Sequence, residues 1–247
     1  MIGAKFRTTK GAVKLHTLLD CHSSLSHYVN ITEGKIADNK GAEYIPLTLG
    51  SVVVADRYYN DFPLLNIGDS NKVNIVIRHE INLQYRVIKE RELPKNHAQH
   101  VLVDQEIELL SVQSHAKYPK KLRRVVVWDE KNQQTIEIIT NNFTWAAQTI
   151  GELYKARWQV ELFFRDIKQL LHIKTFIGTT ENAVRIQFWT ALITILILTY
   201  LKNIAHFKWQ LSNLVAFIRL NCFVKIELML WLNNPFENPP PKKQNLV

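Results

Sequence analysis

The chain has 247 residues, 47% of them hydrophobic, so it is long enough and apolar enough to bury a substantial core. Its formal net charge is +9 and its pI is about 9.5, which favours a polyanionic partner, nucleic acid before a membrane. The two cysteines, Cys21 and Cys222, lie too far apart in sequence for a zinc motif or a disulfide scaffold, and they favour a reducing compartment.

No segment predicts export or membrane insertion. The first residues, MIGAKFRTTKGAVK, are polar and basic and lack the apolar core of a secretory signal. The longest apolar run, 186–201, falls short of the ~20 residues that span hydrocarbon, and it contains Gln187. We therefore expect a buried helix at this run and a cytoplasmic protein without a membrane partner.

The first quarter of the chain predicts a hairpin, a helix and a buried strand. Residues 12–20 and 26–32 have β-type composition and are separated by a short polar turn. Residues 39–49 suit a helix. The compact apolar run at 51–55, SVVVA, is typical of a strand buried on both faces, and Asp56 stands at its C-terminal end.

The second quarter changes from mixed structure to an antiparallel β pattern. Residues 61–67 predict a short helix closed by a turn at 68–71, and VNIVIR at 73–78 predicts the next strand. Residues 82–140 then alternate apolar and polar side chains, which predicts an antiparallel β insert. Its turns are expected at 94–96 and 129–132.

A dense basic run lies inside this insert. It comprises Lys117, Lys120, Lys121, Arg123 and Arg124. Such a run is either a solvated loop or a contact surface for phosphates, and the pattern alone leaves both open.

Helices are predicted from residue 149 onward. Residues 151–171 carry no proline and no internal glycine, which predicts one uninterrupted helix, and further helices are expected at 181–203 and 211–232. The proline-rich stretch 235–243 cannot continue a helix and predicts a frayed tail through residue 247.

The helix predicted at 151–171 has a narrow polar stripe beside an apolar one. With Tyr154 at zero, Arg157, Glu161 and Lys168 fall between roughly 300° and 340°. An ordinary ion pair between Arg157 and Glu161 would explain part of this pattern. The neighbouring apolar stripe holds Leu153, Val160, Phe164, Ile167 and Leu171.

The four polar residues carry a family resemblance. Their spacing, Y-(2)-R-(3)-E-(6)-K, resembles that of the DDE transposases of bacterial insertion sequences, in particular the IS-four family. Three flanking segments also look familial: KFRTTKGAVKLHTLLD, VVVADRYY and TFIGTTENAVRIQFWTALI. The resemblance covers nearly the whole chain.

The resemblance implies a fold that the pattern alone would describe only as mixed α and β. We expect a ribonuclease H-like α/β fold with an inserted antiparallel β region and C-terminal helices. The expected division is 1–80 for the first part of the fold, 81–145 for the insertion, 146–234 for the completing helices and 235–247 for a disordered tail.

The resemblance also implies a chemistry. Family members cut and join DNA with two divalent cations, Mg²⁺ or Mn²⁺, held by three acidic residues, and carboxylates suit such hard cations. Asp56 matches the second acidic residue and Glu161 the third, although an Asp after a strand is often only a turn former. Tyr154, Arg157 and Lys168 would hold the transposon-end backbone.

One expected residue is missing. The family's first acidic residue lies on a strand upstream of the segment that this chain begins with, and Asp20 and Asp38 are poor substitutes. We therefore expect an N-terminally truncated transposase that binds metal weakly and has little activity alone. The missing strand would lie between those at 12–20 and 51–55, so each of these would lose a ladder partner on that side.

Three functions remain open at this point. The first is a transposase with an incomplete catalytic set. The second is a non-catalytic DNA-binding remnant that inhibits or pairs with a full-length transposase, or forms a homodimer. The third is an ordinary basic α/β protein in which the signature arose by chance.

Overall fold

Two β-sheets and seven α-helices make up the part of the chain described by the computed structural model, namely residues 13–37, 40, 45–59, 62–79, 83–93, 100–170, 178 and 180–237. The smaller sheet is an antiparallel hairpin of β1 (Val13–Leu19) and β2 (Ser26–Glu33), as predicted. Asp20 and Ser24 close its turn, with Ser24 at a φ of 57°.

The larger sheet has six strands. In chain order they are β3 (Val52–Ala55), β4 (Asn74–Arg78), β5 (Tyr85–Glu90), β6 (Val101–Leu109), β7 (Leu122–Asp129) and β8 (Gln134–Thr140). Their spatial order is β3-β4-β8-β7-β6-β5. The pair β3 and β4 is parallel and the other pairs are antiparallel, which confirms the antiparallel character predicted for 82–140. Strands from before and after residue 80 thus belong to one sheet, since β4 pairs with β8.

The helices are α1 (Phe62–Ser70), α2 (Val112–Lys117), α3 (Ala147–Ala156), α4 (Trp158–Leu170), α5 (Glu181–Ile204), α6 (Leu211–Asn221) and α7 (Leu228–Asn233). The helix predicted at 181–203 is confirmed. The prediction of a turn at 68–71 is wrong for residues 68–70, because α1 continues through Ser70. The turn predicted at 94–96 and most of the tail after 237 lie outside the described residues.

The prediction of one uninterrupted helix over 151–171 is wrong. The helix breaks at Arg157, between α3 and α4. There the Arg157 amide donates to the Tyr154 carbonyl at 3.1 Å, and the Val160 amide donates to the Arg157 carbonyl at 3.0 Å. These bonds span three residues rather than four, so the backbone tightens at this point.

Two other helix predictions are corrected. In the predicted helix 39–49, residues 45–49 are irregular, since Pro46 has no amide to donate, and residues 41–44 lie outside the described part. The predicted helix 211–232 is two helices. The second begins where the Glu227 carboxylate accepts hydrogen bonds from the amides of Met229 and Leu230 and so caps α7.

Strand β3 is not buried on both faces as predicted, because it is an edge strand. It pairs with β4 alone, and the Val52 side chain is 40% exposed. Strand β1 likewise pairs with β2 alone. Each sheet in the described part of the chain has two edge strands, β1 and β2 in the smaller sheet and β3 and β5 in the larger one, and the absence of a strand between β1 and β3 stays a prediction.

Four apolar clusters lie in the described part of the chain. One of them, around Trp209 and Trp231, joins α6 to α7, and the other three hold the sheets to the helices. One packs the hairpin against α4 and α5, through residues such as Leu15, Phe164 and Phe188. A second packs α1 and α2 on one face of the large sheet, and a third packs α3 on the opposite face. The hairpin thus packs on the helix that carries Glu161.

Helix α5 has 24 residues, which is longer than the apolar run of the sequence indicated. Among the described residues, it alone is long and apolar enough to cross a membrane by length and composition. The same test is passed by the core helices of many soluble proteins. Seven of its residues are buried against the protein, so its inner side belongs to the core.

Candidate active site

A cavity of about 370 Å³ lies where the edges of the two sheets approach each other. Strand β1 contributes Leu15, Thr17 and Leu18, and strand β3 contributes Val53, Val54 and Ala55. Its lining is mainly apolar, but three charged side chains enter it. These are Asp56, Arg157 and Glu161.

One guanidinium joins the two carboxylates. The Nη1 atom of Arg157 lies 3.3 Å from Oδ2 of Asp56 and 2.8 Å from Oε1 of Glu161. Because both oxygens contact one nitrogen, they lie no more than about 6 Å apart, a separation that divalent cations can bridge. The structure therefore brings together the two acidic residues that the sequence singled out.

Local backbone structure positions each carboxylate. Asp56 follows the last residue of β3, and its side chain accepts a hydrogen bond from the Arg57 amide at 2.7 Å. A short 3₁₀ turn at Arg57–Tyr59 then carries the chain away from the strand. Glu161 lies in the first turn of α4, where the helix dipole favours a negative charge.

The Arg157 guanidinium group packs against the ring of Tyr154. Its guanidinium carbon lies 5.6 Å from the centre of the Tyr154 ring, a cation–π contact. Tyr154 is only 4% exposed, and burial raises the pKa of its hydroxyl. Among the described residues, neither the Tyr154 hydroxyl nor the Arg157 Nε has a hydrogen-bond partner, although both atoms are buried. This placement supports Tyr154 as a rigid backing for Arg157 and does not support stacking on a base.

Lys168 lies on the same helix as Glu161, seven residues further on and thus two turns away. It is half-buried. The described contacts include no ion pair for it, so its ammonium group is available to an external anion. The predicted polar stripe therefore continues along α4 past the cavity.

A third carboxylate does not join the pair among the described residues. No group of three or more His, Cys, Asp or Glu side chains converges there. Asp20 instead serves its own turn, accepting hydrogen bonds from the Ser23 hydroxyl and from the amides of His22 and Ser23. Asp38, the other weak candidate, lies outside the described residues.

The Asp20 turn makes stability depend on pH. The Ser23 hydroxyl, followed by the His22 amide, lowers the pKa of Asp20 below its ordinary value. A carboxyl group with a lowered pKa stabilises the folded state above its unfolded pKa of about 3.9, and this contribution is lost as the pH falls through the folded pKa. We expect Asp20→Asn to lower the free energy of unfolding by up to about 1 kcal/mol at pH 7 and to have little effect at a pH low enough to protonate the Asp20 carboxylate in the folded state. Urea unfolding at the two pH values measures this, with exposed Glu92→Gln as the control. An equal loss at both values would contradict it.

The basic run of residues 117–124 is divided by the structure into exposed lysines and inward arginines. Lys117, Lys120 and Lys121 are exposed. Lys120 forms an ion pair with Asp69 on α1, while the described contacts of Lys121 include no ion pair. The lysines therefore present positive charge to solvent beside α1.

Arg123 lies in the interior. It is 1% exposed, and its Nε and Nη2 atoms donate to both carboxylate oxygens of Asp104 at 2.8 and 2.7 Å. Its Nη1 atom donates to the carbonyls of Asn142 and Trp145. Its burial and its pairing with Asp104 do not support the predicted phosphate contact.

Arg124 points to the other face of β7 and is also occupied. Its guanidinium donates to Glu137 at 3.0 Å and to Gln105 at 2.8 Å, and it lies over the Tyr85 ring. Its side chain is 12% exposed. Neither arginine supports the predicted contact with DNA in this arrangement.

Sequence reasoning missed two polar networks. The pairing of Arg157 with Asp56 joins residues 101 positions apart, so no local spacing could indicate it. The buried His16 lies 3.2 Å from the Tyr59 hydroxyl and 2.9 Å from the Thr32 hydroxyl, linking the hairpin to the turn after Asp56. A histidine inside a strand pattern was the only available sign of the second network.

Comparison with known proteins gives a consistent result. The family model described as the transposase DDE domain matches residues 3–197. The chain is 30% identical over 230 residues to a protein of Sinorhizobium fredii named as the transposase y4zB, covering 93% of this chain and 63% of that protein. It is also 30% identical over 217 residues to a Geobacillus stearothermophilus protein named as a transposase of insertion sequence element IS5377, covering 87% and 56%.

A third similarity is shorter. Over 85 residues the chain is 32% identical to a Synechocystis protein named as a transposase of insertion sequence element IS4SA, which covers 34% of this chain and 25% of that protein. The chain thus spans less than two thirds of the length of the relatives it matches.

Proposed function

The chain belongs to the transposase DDE domain family, and we propose that it binds transposon-end DNA and carries part of a centre that cuts and joins DNA by phosphoryl transfer. The observation that carries this proposal is the meeting of Asp56 and Glu161 on Arg157 in one cavity. The Y-(2)-R-(3)-E-(6)-K spacing supports placing it in the IS-four group of insertion sequences. We include in the same proposal that the protein is located in the cytoplasm, where the DNA lies.

The proposed fold is ribonuclease H-like. The parallel pair β3 and β4 supports it, as does the acidic residue that follows β3 and meets the glutamate of a C-terminal helix. The antiparallel strands β5 to β8 correspond to the inserted region in this proposal. The division of the chain into a first part of this fold (1–80), an insertion (81–145), completing helices (146–234) and a tail (235–247) is part of the same proposal.

The donor set fits a divalent cation in part. Asp56 and Glu161 offer the hard carboxylate oxygens that Mg²⁺ and Mn²⁺ prefer, and they would hold such an ion between them. When bound, the ion supplies positive charge that stabilises the attacking and leaving oxygens of a phosphodiester. Arg157 now neutralises the same two carboxylates, so it competes with the ion and weakens its binding.

In this proposal, two groups of basic residues contact the DNA backbone at different distances from the reacting bond. Arg157 and Lys168 line the helix beside the cavity and would contact phosphates near the reacting bond. The exposed lysines, Lys120 and Lys121, would contact the backbone further away. Phosphate contacts by the two arginines of β7 are left out, since their guanidinium groups are paired within the sheet.

A second candidate function is a DNA-binding protein without catalysis, which pairs with or inhibits a complete transposase. It is favoured by the convergence of only two carboxylates among the described residues. The two functions differ in a nicking assay on supercoiled plasmid with Mn²⁺. Nicking that Glu161→Gln abolishes supports catalysis, whereas DNA retention without nicking supports the second function.

DNA binding itself is tested through its salt dependence. Each phosphate contact contributes a slope of about −0.9 to the logarithm of affinity against the logarithm of salt concentration. We expect Lys121→Gln/Lys168→Gln to make that slope shallower by roughly 2 and to weaken binding at least tenfold at low salt. Fluorescence anisotropy with duplexes from the ends of the element measures both quantities.

The control for this experiment is Lys35→Gln, in the turn that follows β2, which removes one positive charge where the test variant removes two. Lys35 is 81% exposed and pairs with Glu33, so its removal changes the net charge without removing a proposed contact. A loss per removed charge that equals that of the double variant would mean that net charge alone attracts the DNA. No retention of DNA by the unmodified chain at low salt would contradict the proposed function.

A further inference from the structure

The carboxyl ends of β3 and β4 lie side by side at the candidate active site. The two strands are parallel, and their last paired residues are Ala55 and Ile77. Neighbouring strands lie about 4.8 Å apart, so Asp56 and Arg78, one residue further along each segment, are neighbours at this edge of the sheet. A second arginine therefore lies beside the first of the two carboxylates, in addition to Arg157.

Both side chains lie on the face of the sheet that packs on α3. Side chains alternate between the two faces along a strand, so Arg78 shares a face with Val76, and Asp56 shares a face with Val54. Both valines belong to the apolar cluster of α3. Ile77, which lies between Val76 and Arg78, belongs to the cluster on the opposite face. Arg78 and Asp56 therefore point to the same side of the sheet.

The charge of Arg78 acts on the Tyr154 hydroxyl. Burial raises the pKa of that hydroxyl, and the positive charges of Arg157 and Arg78 act in the opposite direction. Tyr154 lies on α3 and contacts Arg157, the residue that joins the two carboxylates. Arg78 therefore belongs to the same group of charges as the candidate active site.

Arg78, unlike Arg157, has no partner among the described residues. It is half-buried, and its guanidinium group forms no ion pair and no hydrogen bond in the described contacts. A partly buried cation loses hydration, and without a partner nothing compensates for that loss. Four arginines further along the same sheet are each paired with a carboxylate, namely Arg86, Arg91, Arg123 and Arg124. The exception at Arg78 favours an anion that comes from outside the chain.

A phosphate needs such a cation in order to approach the cavity. Asp56, Glu161 and Arg157 together carry one net negative charge, which repels an anion. The Arg157 guanidinium is already occupied by both carboxylates. Arg78 offsets the remaining negative charge from a position next to Asp56. Its planar guanidinium also matches the geometry of two phosphate oxygens.

We propose that Arg78 binds the two non-bridging oxygens of a DNA phosphodiester and holds that phosphate beside Asp56. The inference rests on the proposed function, because it concerns the substrate of the same site. Strand β4 has a neighbour on each side, β3 and β8, so the backbone of Arg78 is more firmly fixed than that of an exposed loop. Arg78 thus sets where the phosphate lies, whereas exposed lysines such as Lys121 add affinity with less precise placement.

Fluorescence anisotropy with duplexes from the ends of the element tests this contact on the full chain. Arg78→Gln is expected to weaken binding at least tenfold at low salt and to make the salt slope shallower by roughly 1. Arg78→Lys should recover part of the loss, because an ammonium group keeps the charge without the planar fork. The matched control is Arg86→Gln, which removes the same charge from β5 at the far edge of the large sheet. Equal effects of Arg78→Gln and Arg86→Gln would overturn the proposal.

Thermal unfolding separates phosphate binding from a structural role of Arg78. Arg78→Gln removes no ion pair or hydrogen bond of the described contacts, so the melting temperature is expected not to fall. Arg123→Gln, which breaks the buried pair with Asp104, should lower it and serves as the comparison. A lowered melting temperature of Arg78→Gln with unchanged DNA affinity would assign Arg78 to the core and overturn the proposal.

A titration with a small phosphodiester tests Arg78 separately from DNA binding. In the full chain labelled with ¹⁵N-arginine, the Nε–H signal of Arg78 is identified by its loss in Arg78→Lys. This signal is expected to shift when dimethyl phosphate is added, while the signal of Arg86 does not. No shift of the Arg78 signal would overturn the phosphate site, whether or not the chain retains DNA. A shift without retention of DNA would support the phosphate site and contradict the proposed function instead.

Discussion

Arg123→Met is expected to lower the free energy of unfolding by about 3–5 kcal/mol, because it leaves the Asp104 carboxylate buried with too little compensating charge. Asp104 is 5% exposed, and both of its carboxylate oxygens accept hydrogen bonds from Arg123. Its only other cation among the described contacts is Arg91, at 3.5 Å. Two carbonyls, of Asn142 and Trp145, would also lose their donor. Equilibrium unfolding in urea, followed by circular dichroism, measures the change.

Two further variants show whether the ion pair is the cause. Lys121→Met removes a neighbouring exposed cation and is expected to change stability by less than about 0.5 kcal/mol. The double variant Asp104→Leu/Arg123→Met removes both charges and should recover part of the loss. If the single and double variants were equally unstable, lost packing rather than the unpaired carboxylate would account for the effect.

Arg157→Met is expected to raise the affinity of the chain for Mn²⁺ at least tenfold. The substitution removes the cation that now neutralises both Asp56 and Glu161, so the two carboxylates repel each other and attract a divalent ion instead. Methionine preserves much of the side-chain volume in contact with Tyr154. Calorimetric titration with Mn²⁺ measures the affinity directly and needs neither DNA nor activity.

The controls for this experiment lie on the same helix. Arg165→Met removes an arginine paired with Asp166 away from the cavity and should leave Mn²⁺ affinity unchanged. Adding Glu161→Gln to Arg157→Met should remove most of the gain, since one carboxylate is then neutral. Unchanged affinity in Arg157→Met would mean that the two carboxylates do not act together on a metal ion.

Much of the site could be predicted because its signal is local. The spacing from Tyr154 to Lys168 lies within two adjacent helices, and Asp56 follows an apolar run that does form a strand. The hairpin, the strands of the insert and α5 were likewise visible, since their apolar periodicities are intact. These features depend on neighbours in sequence, which a single chain reveals.

The rest depended on contacts that sequence does not reveal. The two arginines of β7 resembled a solvent-exposed basic run until the sheet placed strands on both sides of them. The break at Arg157 has no glycine or proline to mark it. Val52 looked like an interior residue, but its strand has a neighbour on only one side. Composition describes what a segment prefers, whereas exposure depends on what lies beside it.

The unpaired edges of β1 and β3 have a consequence for how the cavity and the stability of the chain are linked. Among the described residues no further strand pairs with these edges, so this region should open and exchange with solvent at a lower energetic cost than the centre of the large sheet. Any molecule that occupies the space between the edges binds the folded state alone and therefore raises its melting temperature. Binding in the cavity and the stability of the folded chain are therefore thermodynamically linked.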